Sequence, residues 1–152
     1  MTVRGILAAI LAGTVISGCA AWIGDGASTV DPALPSQTVQ VGAEPWMVLI
    51  APDDGSGMRG LADFHGADGM LFDQGRDVDP ASVVFVMDGV TIPLDIAWFS
   101  AAGELVGSAS MDPCPSEPCP RYGAPAAYRW AIEAPPGAFD GLGPAARLRV
   151  GG

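Results

Sequence analysis

The sequence contains no lysine, and its seven basic residues are all arginine. A Walker phosphate loop, whose lysine reaches the terminal phosphates, is therefore excluded. His65 is the single histidine. A Ser-His-Asp triad would have to use it, and no Gly-x-Ser-x-Gly elbow is present to accompany it. Structural zinc takes about four ligands, and one histidine leaves such a set short. We therefore expect no metal and no cofactor. Basic charge is scarce overall, with 7 arginines against 17 acidic residues and a net charge of -10. Phosphate backbones and anionic headgroups repel such a surface. Neither nucleic acid nor a polybasic membrane contact is expected, whereas cationic ligands are electrostatically allowed.

The N-terminus carries one positive charge, Arg4, and then an uncharged, mostly apolar run from Gly5 to about Ile16. This is the layout of a secretory signal. It falls short of the ~20 apolar residues that span a bilayer, and no other stretch is long enough. Ile16-Ser17-Gly18-Cys19 closes the run. The four residues resemble the lipobox of bacterial lipoproteins, in which an aliphatic residue and two small ones precede the cysteine. That resemblance implies diacylglycerol on the Cys19 sulfur and cleavage after Gly18, leaving residues 1–18 as the signal peptide. One acyl chain holds a protein to a membrane only marginally, and two or three hold it stably. The expected location is the extracytoplasmic face of a membrane in the cell envelope.

Residues 19–37 are small, polar and proline-bearing, with no helical or strand period. They read as a tether between lipid and domain, with Trp22 and Ile23 placed to rest at the interface. Residues 38–152 then form one domain. Its strand-like runs are short, rich in Val, Ile, Phe and Trp, and punctuated by Gly, Pro and Asp. They are Thr38–Val41, Trp46–Ala51, Gly69–Phe72, Ser82–Met87, Leu94–Phe99, Glu104–Met111, Tyr128–Ala134 and Arg147–Val150. Ile92, Leu94, Ile96 and Trp98 share one strand face, which belongs in a core. Ser100 to Glu104 reads as a turn between antiparallel strands, with Gly103 at the position needing positive φ. Ser56–Phe64 and Gly137–Leu142 are the helical candidates. The pattern predicts a mainly β fold, a compact antiparallel sandwich or barrel-like domain with one or two short helices.

Several segments together resemble the family named domain of unknown function 192. They are Arg59-Gly60-Leu61, Asp68-Gly69-Met70-Leu71-Phe72, Phe85-Val86-Met87 and Ile92-Pro93-Leu94-Asp95-Ile96-Ala97. Cys119-Pro120-Arg121-Tyr122-Gly123 and Tyr128 to Glu133 extend the match, which runs from about Val39 to Val150. The resemblance implies a mainly β sandwich or barrel-like domain and carries no established activity. The family commonly has Trp before the methionine and Asn-Thr shortly after it. Here Val86 precedes Met87, and Asp88-Gly89-Val90-Thr91 follow.

Cys114 and Cys119 lie among four prolines. Outside the cytoplasm two nearby thiols oxidise, and lipidation of Cys19 leaves these two to pair. Redox pairs usually read Cys-x-x-Cys, and this spacing is longer, so we expect a structural disulfide. His65 reads as a surface or hydrogen-bonded residue. Asp73, Gln74, Asp77 and Asp79 resemble a loose calcium loop but miss its spacing, and a solvated loop is expected.

Asp95 falls opposite the Ile-Leu-Ile-Trp stripe. If that face is also covered, Asp95 is buried and needs a partner, for which Arg59 is the candidate. One reading is a structural ion pair or a carboxylate capping backbone. The other is a ligand-binding set of Arg59, Asp88 and Asp95. The leading expectation is a non-catalytic envelope lipoprotein that binds a small ligand or an envelope protein. The alternatives are a carboxylate enzyme on cell-wall or carbohydrate substrates using Asp88 and Asp95, or a purely structural protein.

Overall fold

The computed structural model describes residues 34–52 and 64–151. Among them nine strands form: β1 Ser36–Val41, β2 Glu44–Ile50, β3 Gly69–Val78, β4 Phe85–Val86, β5 Leu94–Phe99, β6 Leu105–Met111, β7 Arg121–Tyr122, β8 Tyr128–Ala134 and β9 Leu148–Val150. Seven of them make one sheet in the order β6-β5-β8-β3-β2-β1-β9, and β4 and β7 make a small second sheet. β2 and β3 pair in parallel, while the other neighbours run antiparallel. The large sheet is therefore mixed, and the parallel step needs a crossover, which the chain between Ile50 and Gly69 supplies.

β5 explains why the sheet lies at the centre. All six of its residues, Leu-Asp-Ile-Ala-Trp-Phe, are buried, so both faces of the sheet are covered. On one face Leu94, Ile96 and Trp98 join Phe72, Met87, Met111 and Tyr128. The small sheet seals this side, since Phe85 meets the Phe72 ring edge-on at 5.3 Å and tilts against Trp98 at 6.3 Å. On the other face Ala97 and Phe99 join Val39, Val41, Leu71, Ile132, Phe139 and Leu148. Alternation along one strand thus feeds two separate cores.

The sheet curls until its two edges touch at one end. Glu104 and Arg147 form an isolated antiparallel bridge between the starts of β6 and β9. Leu148 N–H donates to the Gly103 carbonyl at 2.8 Å, and Leu105 N–H to the Ala146 carbonyl at 3.2 Å. An exposed Arg147–Glu104 ion pair at 2.9 Å lies over the seam. Pairing stops there, so the domain is sandwich-like rather than a closed barrel.

β5 and β8 form where the strand patterns predict them. β1 starts two residues earlier than predicted, at Ser36, and Leu34 already packs on a core. The run Ser82–Met87 yields strand only at Phe85–Val86. Asp79 is the reason: its side chain accepts Ala81 N–H and its carbonyl accepts Ser82 N–H, which folds that segment into a turn. Gly137–Leu142 is not a helix but a chain of turns with bonds three residues apart. Two prolines precede it and Gly137 has a φ of +82°, so no helical run is nucleated. The other helical candidate, Ser56–Phe64, lies outside the described residues except for Phe64. Gly103 has the predicted positive φ, at +76°.

Cys114 and Cys119 are disulfide-bonded, with Cα atoms 5.5 Å apart. The bridge holds the loop that leads from β6 to β7. In the chain-entropy picture closing so short a ring contributes ~2 kcal/mol. Replacing both cysteines with serine should lower the unfolding free energy obtained by denaturant titration by no more than that. A loss several times larger would mean that the bridge fixes more than its loop.

Tyr128 is fully buried, and its hydroxyl has no hydrogen-bond partner among the described residues. Burial pushes its pKa up to about 12, from an ordinary value of 10.0. The folded protein therefore keeps the phenolic proton to higher pH than the unfolded chain does. The stabilisation linked to it is complete below pH 10 and is lost as pH rises towards about 12. Denaturation midpoints measured across this window should fall for the native sequence and fall less for Tyr128→Phe. Equal slopes would contradict the assignment.

Candidate functional site

The site begins with one carboxylate that the strand pattern puts inside. Asp95, only 6% exposed, lies on β5 opposite Ser110 of β6 and Ala134 of β8. β8 then runs into Pro135 and Pro136, which have no N–H. Gly137 supplies the next donor, and its N–H meets Asp95 Oδ2 at 2.6 Å. This bond pins the turn over the curled face of the sheet. A Cβ on Gly137 would stand 3.5 Å from Asp140 Oδ2, so the carboxylates of Asp95 and Asp140 both lie beside the Gly137 backbone.

A cleft of about 380 Å³ opens here, lined by Asp95, Ser108, Ala109, Ser110, Phe139, Asp140 and Leu142. Its lining is mostly polar. Ser108 and Ser110 project from the same face as Asp95, because they sit opposite Ala97 and Asp95 in the β5–β6 register. On the far side of the turn a larger cavity, about 550 Å³, is lined by Val41 to Glu44, Trp46, Ala138 and Gly141 to Ala146. Trp46 and Phe139 stack beside it at 5.4 Å. That cavity is apolar, with Glu44 its only ionisable lining residue, so of these two it is the smaller cleft that gathers groups able to orient a polar ligand.

Of the residues singled out in the sequence, Asp88 and His65 lie outside this cleft. Asp88 is exposed, bridges to Cys114, and lies with Glu117 and Cys119 so that their ligand-type atoms are within 4.8 Å of one another. Cys119 spends its sulfur on the disulfide, however, and Glu117 accepts Cys119 N–H at 3.0 Å. No thiolate remains there for a metal. The cleft that holds Asp95 does not include Asp88. Arg59 and Cys19 lie outside the described residues. His65 is exposed on a turn with a φ of +48°.

The acids of the calcium-like segment are occupied locally. Asp73 pairs with Arg129 at 2.8 and 3.0 Å. That hydrogen-bonded guanidinium holds the Asp73 carboxyl below the usual range. Asp77 accepts Ala101 N–H and Asp79 accepts Ala81 N–H, each through its side chain. Arg129 also lies over the Trp130 ring at 4.1 Å.

Three residues beyond the sequence candidates matter. Ser110 and Asp140 complete the cleft, and only strand register and the turn after β8 bring them to Asp95. Glu133 is the second buried acid, also 6% exposed. It sits opposite Ile96 and Met70, on the face away from Asp95, where it is partnered.

The family model DUF192, described as an uncharacterized ACR, matches residues 38–150. No curated protein matches the sequence. Two solved structures share the fold. One, from Novosphingobium aromaticivorans DSM 12444, is described as a protein of unknown function. It has a TM-score of 0.62 and 18% identity, over 80% of this chain and 89% of that one. The other, from Sinorhizobium meliloti 1021, is provisionally described as a transcription regulator. It has a TM-score of 0.56 and 19% identity, over 77% of this chain and 95% of that one.

Proposed function

This chain belongs to the DUF192 family, and from that premise we propose that it is a lipid-anchored envelope protein whose domain binds a cationic ligand in the Asp95 cleft without catalysing a reaction. The observation that carries the binding reading is a nearly buried carboxylate, fixed by a backbone N–H, at the floor of an oxygen-lined cleft beside a second carboxylate. One Asp95 oxygen is committed to Gly137, which holds the group in place. An amine or guanidinium entering the cleft would meet Asp95, Asp140 and the serine hydroxyls. A chain with net charge -10 adds long-range attraction for such a ligand. The same charge opposes DNA, so the description of the Sinorhizobium neighbour is not carried over. The anchor reading rests on the apolar run to Ile16 and on Ile16-Ser17-Gly18-Cys19.

Thermal unfolding of the full chain in detergent tests the binding reading, with guanidine compounds, diamines, polyamines, sugars and divalent ions as candidates. A ligand at a hundred times its dissociation constant adds ~2.7 kcal/mol, a shift of several degrees for one domain. Shifts confined to amine or guanidine compounds support the reading, and shifts confined to sugars or none at all reject it. The anchor is tested by feeding labelled palmitate to cells. Label should enter the native chain and be absent from Cys19→Ala, and label in both would remove Cys19 from its role.

A further inference from the structure

β6 is an edge strand of the large sheet. Its inner side pairs with β5 from Leu105 to Met111. Along its outer side, among the described residues, backbone contacts occur only at the two ends. Leu105 N–H reaches the Ala146 carbonyl, and just past the strand Asp112 N–H reaches the Tyr122 hydroxyl at 3.3 Å. Between them lie Val106, Gly107, Ser108, Ala109, Ser110 and Met111. Sheet edges are normally guarded by charge, proline, a bulge or a covering element. This one carries no charged residue and no proline; a register shift at Val106 and Pro125 packed against Gly107 guard its first half, which leaves the small residues Ser108 to Ser110 as the unguarded stretch.

The cleft beside Asp95 borders this same edge. Its lining includes Ser108, Ala109 and Ser110 in succession, although alternate side chains of a strand point to opposite faces. Ala109 therefore lines the cleft with its backbone, so the cleft reaches the main chain of this edge strand.

We propose that β6 is a peptide-docking edge: an extended basic segment adds to it as an outer strand and places an arginine or lysine in the cleft of Asp95 and Asp140. Strand addition supplies affinity through main-chain hydrogen bonds, and pockets for alternate side chains supply specificity. The two-residue spacing of an added strand matches the alternation of Ser108 and Ser110 on the Asp95 face. Charge complementarity selects a basic segment. This proposal rests on the reading of the cleft as a cation site and adds the kind of molecule that carries the cation.

The test uses the full chain in detergent and isothermal titration with the acetylated, amidated pentapeptide Val-Arg-Val-Arg-Val. The controls are its glutamate counterpart, a form N-methylated at alternate backbone positions, and free arginine amide. The arginine peptide should bind more tightly than arginine amide. N-methylation, which removes two or so main-chain hydrogen bonds, should weaken it roughly tenfold. Asp140→Asn should weaken it about threefold, and the glutamate peptide should not bind. Arginine amide binding as well as the peptide, with N-methylation immaterial, would overturn the edge proposal and leave the cation site standing. Binding of neither would overturn both. Concentration-dependent dimerisation that the peptide cannot displace would assign the edge to a second copy of this chain and also overturn the proposal.

Discussion

Gly103→Ala is expected to cost about 3–5 kcal/mol, near the upper end for a single substitution. In a domain of this size that lowers the unfolding temperature by roughly 10 °C or more. Two independent causes converge on the position. Its φ of +76° is one that residues with a Cβ rarely adopt. A Cβ there would also collide with the Leu148 carbonyl oxygen and crowd its carbon at 3.2 Å. The atoms in the way are backbone, which cannot swing aside as a side-chain tip would. They belong to the seam where β6 meets β9, and separating them would break the Leu148 N–H bond to Gly103 and strain the Glu104–Arg147 bridge. Gly141→Ala is the control, because its φ is ordinary and a Cβ there would meet no atom within 4 Å. It should stay within ~0.5 kcal/mol of the native chain. A Gly103→Ala protein as stable as the Gly141→Ala one would mean that the sheet edges do not meet in solution.

Gly103 also shows what kind of information the sequence holds about this fold. Local chemistry was legible: a turn glycine between two apolar runs, a strand start after Pro93, a pair of cysteines, and an alternating stripe at Ile92, Leu94, Ile96 and Trp98. Each depends on residues close together in the chain. Asp95 was legible conditionally, because a fully apolar strand with one acid in it demands a partner once both faces are covered. Its partner among the described residues, the Gly137 N–H, is 42 residues away and was not legible. That contact depends on the order β6-β5-β8 and on two prolines that leave Gly137 as the first donor. The parallel pairing of β2 with β3 was hidden for the same reason, since pairing direction is set by a crossover and not by the pattern within either strand. β7 is two residues long and exists through its pairing with β4, so no periodicity could announce it. Asp88 and Asp95 are seven residues apart in sequence, yet the chain turns between them and gives them different neighbours. Asp140, invisible as a candidate, ends beside Asp95 instead.

Substitutions at Asp95 separate structural from binding duty. Asp95→Ala leaves the Gly137 N–H without its acceptor and opens space beneath the turn. Hydrogen bonds to charged groups contribute ~1.5–3 kcal/mol, so a loss of about 2 kcal/mol is expected for alanine. Asp95→Asn keeps an acceptor oxygen at the same place and should cost about 1 kcal/mol, the worth of a neutral bond. The two variants should then rank differently by the two readouts. In stability the order is native, asparagine, alanine. In affinity for a guanidinium or amine, asparagine and alanine should fall together, because both remove the charge at the floor of the cleft. If the asparagine variant binds such ligands as tightly as the native chain, Asp95 only caps the Gly137 turn and the cation site is wrong. If instead the alanine variant is as stable as the native chain, the 2.6 Å contact to Gly137 does not hold the turn. The cleft would then lose the fixed carboxylate on which its chemistry depends.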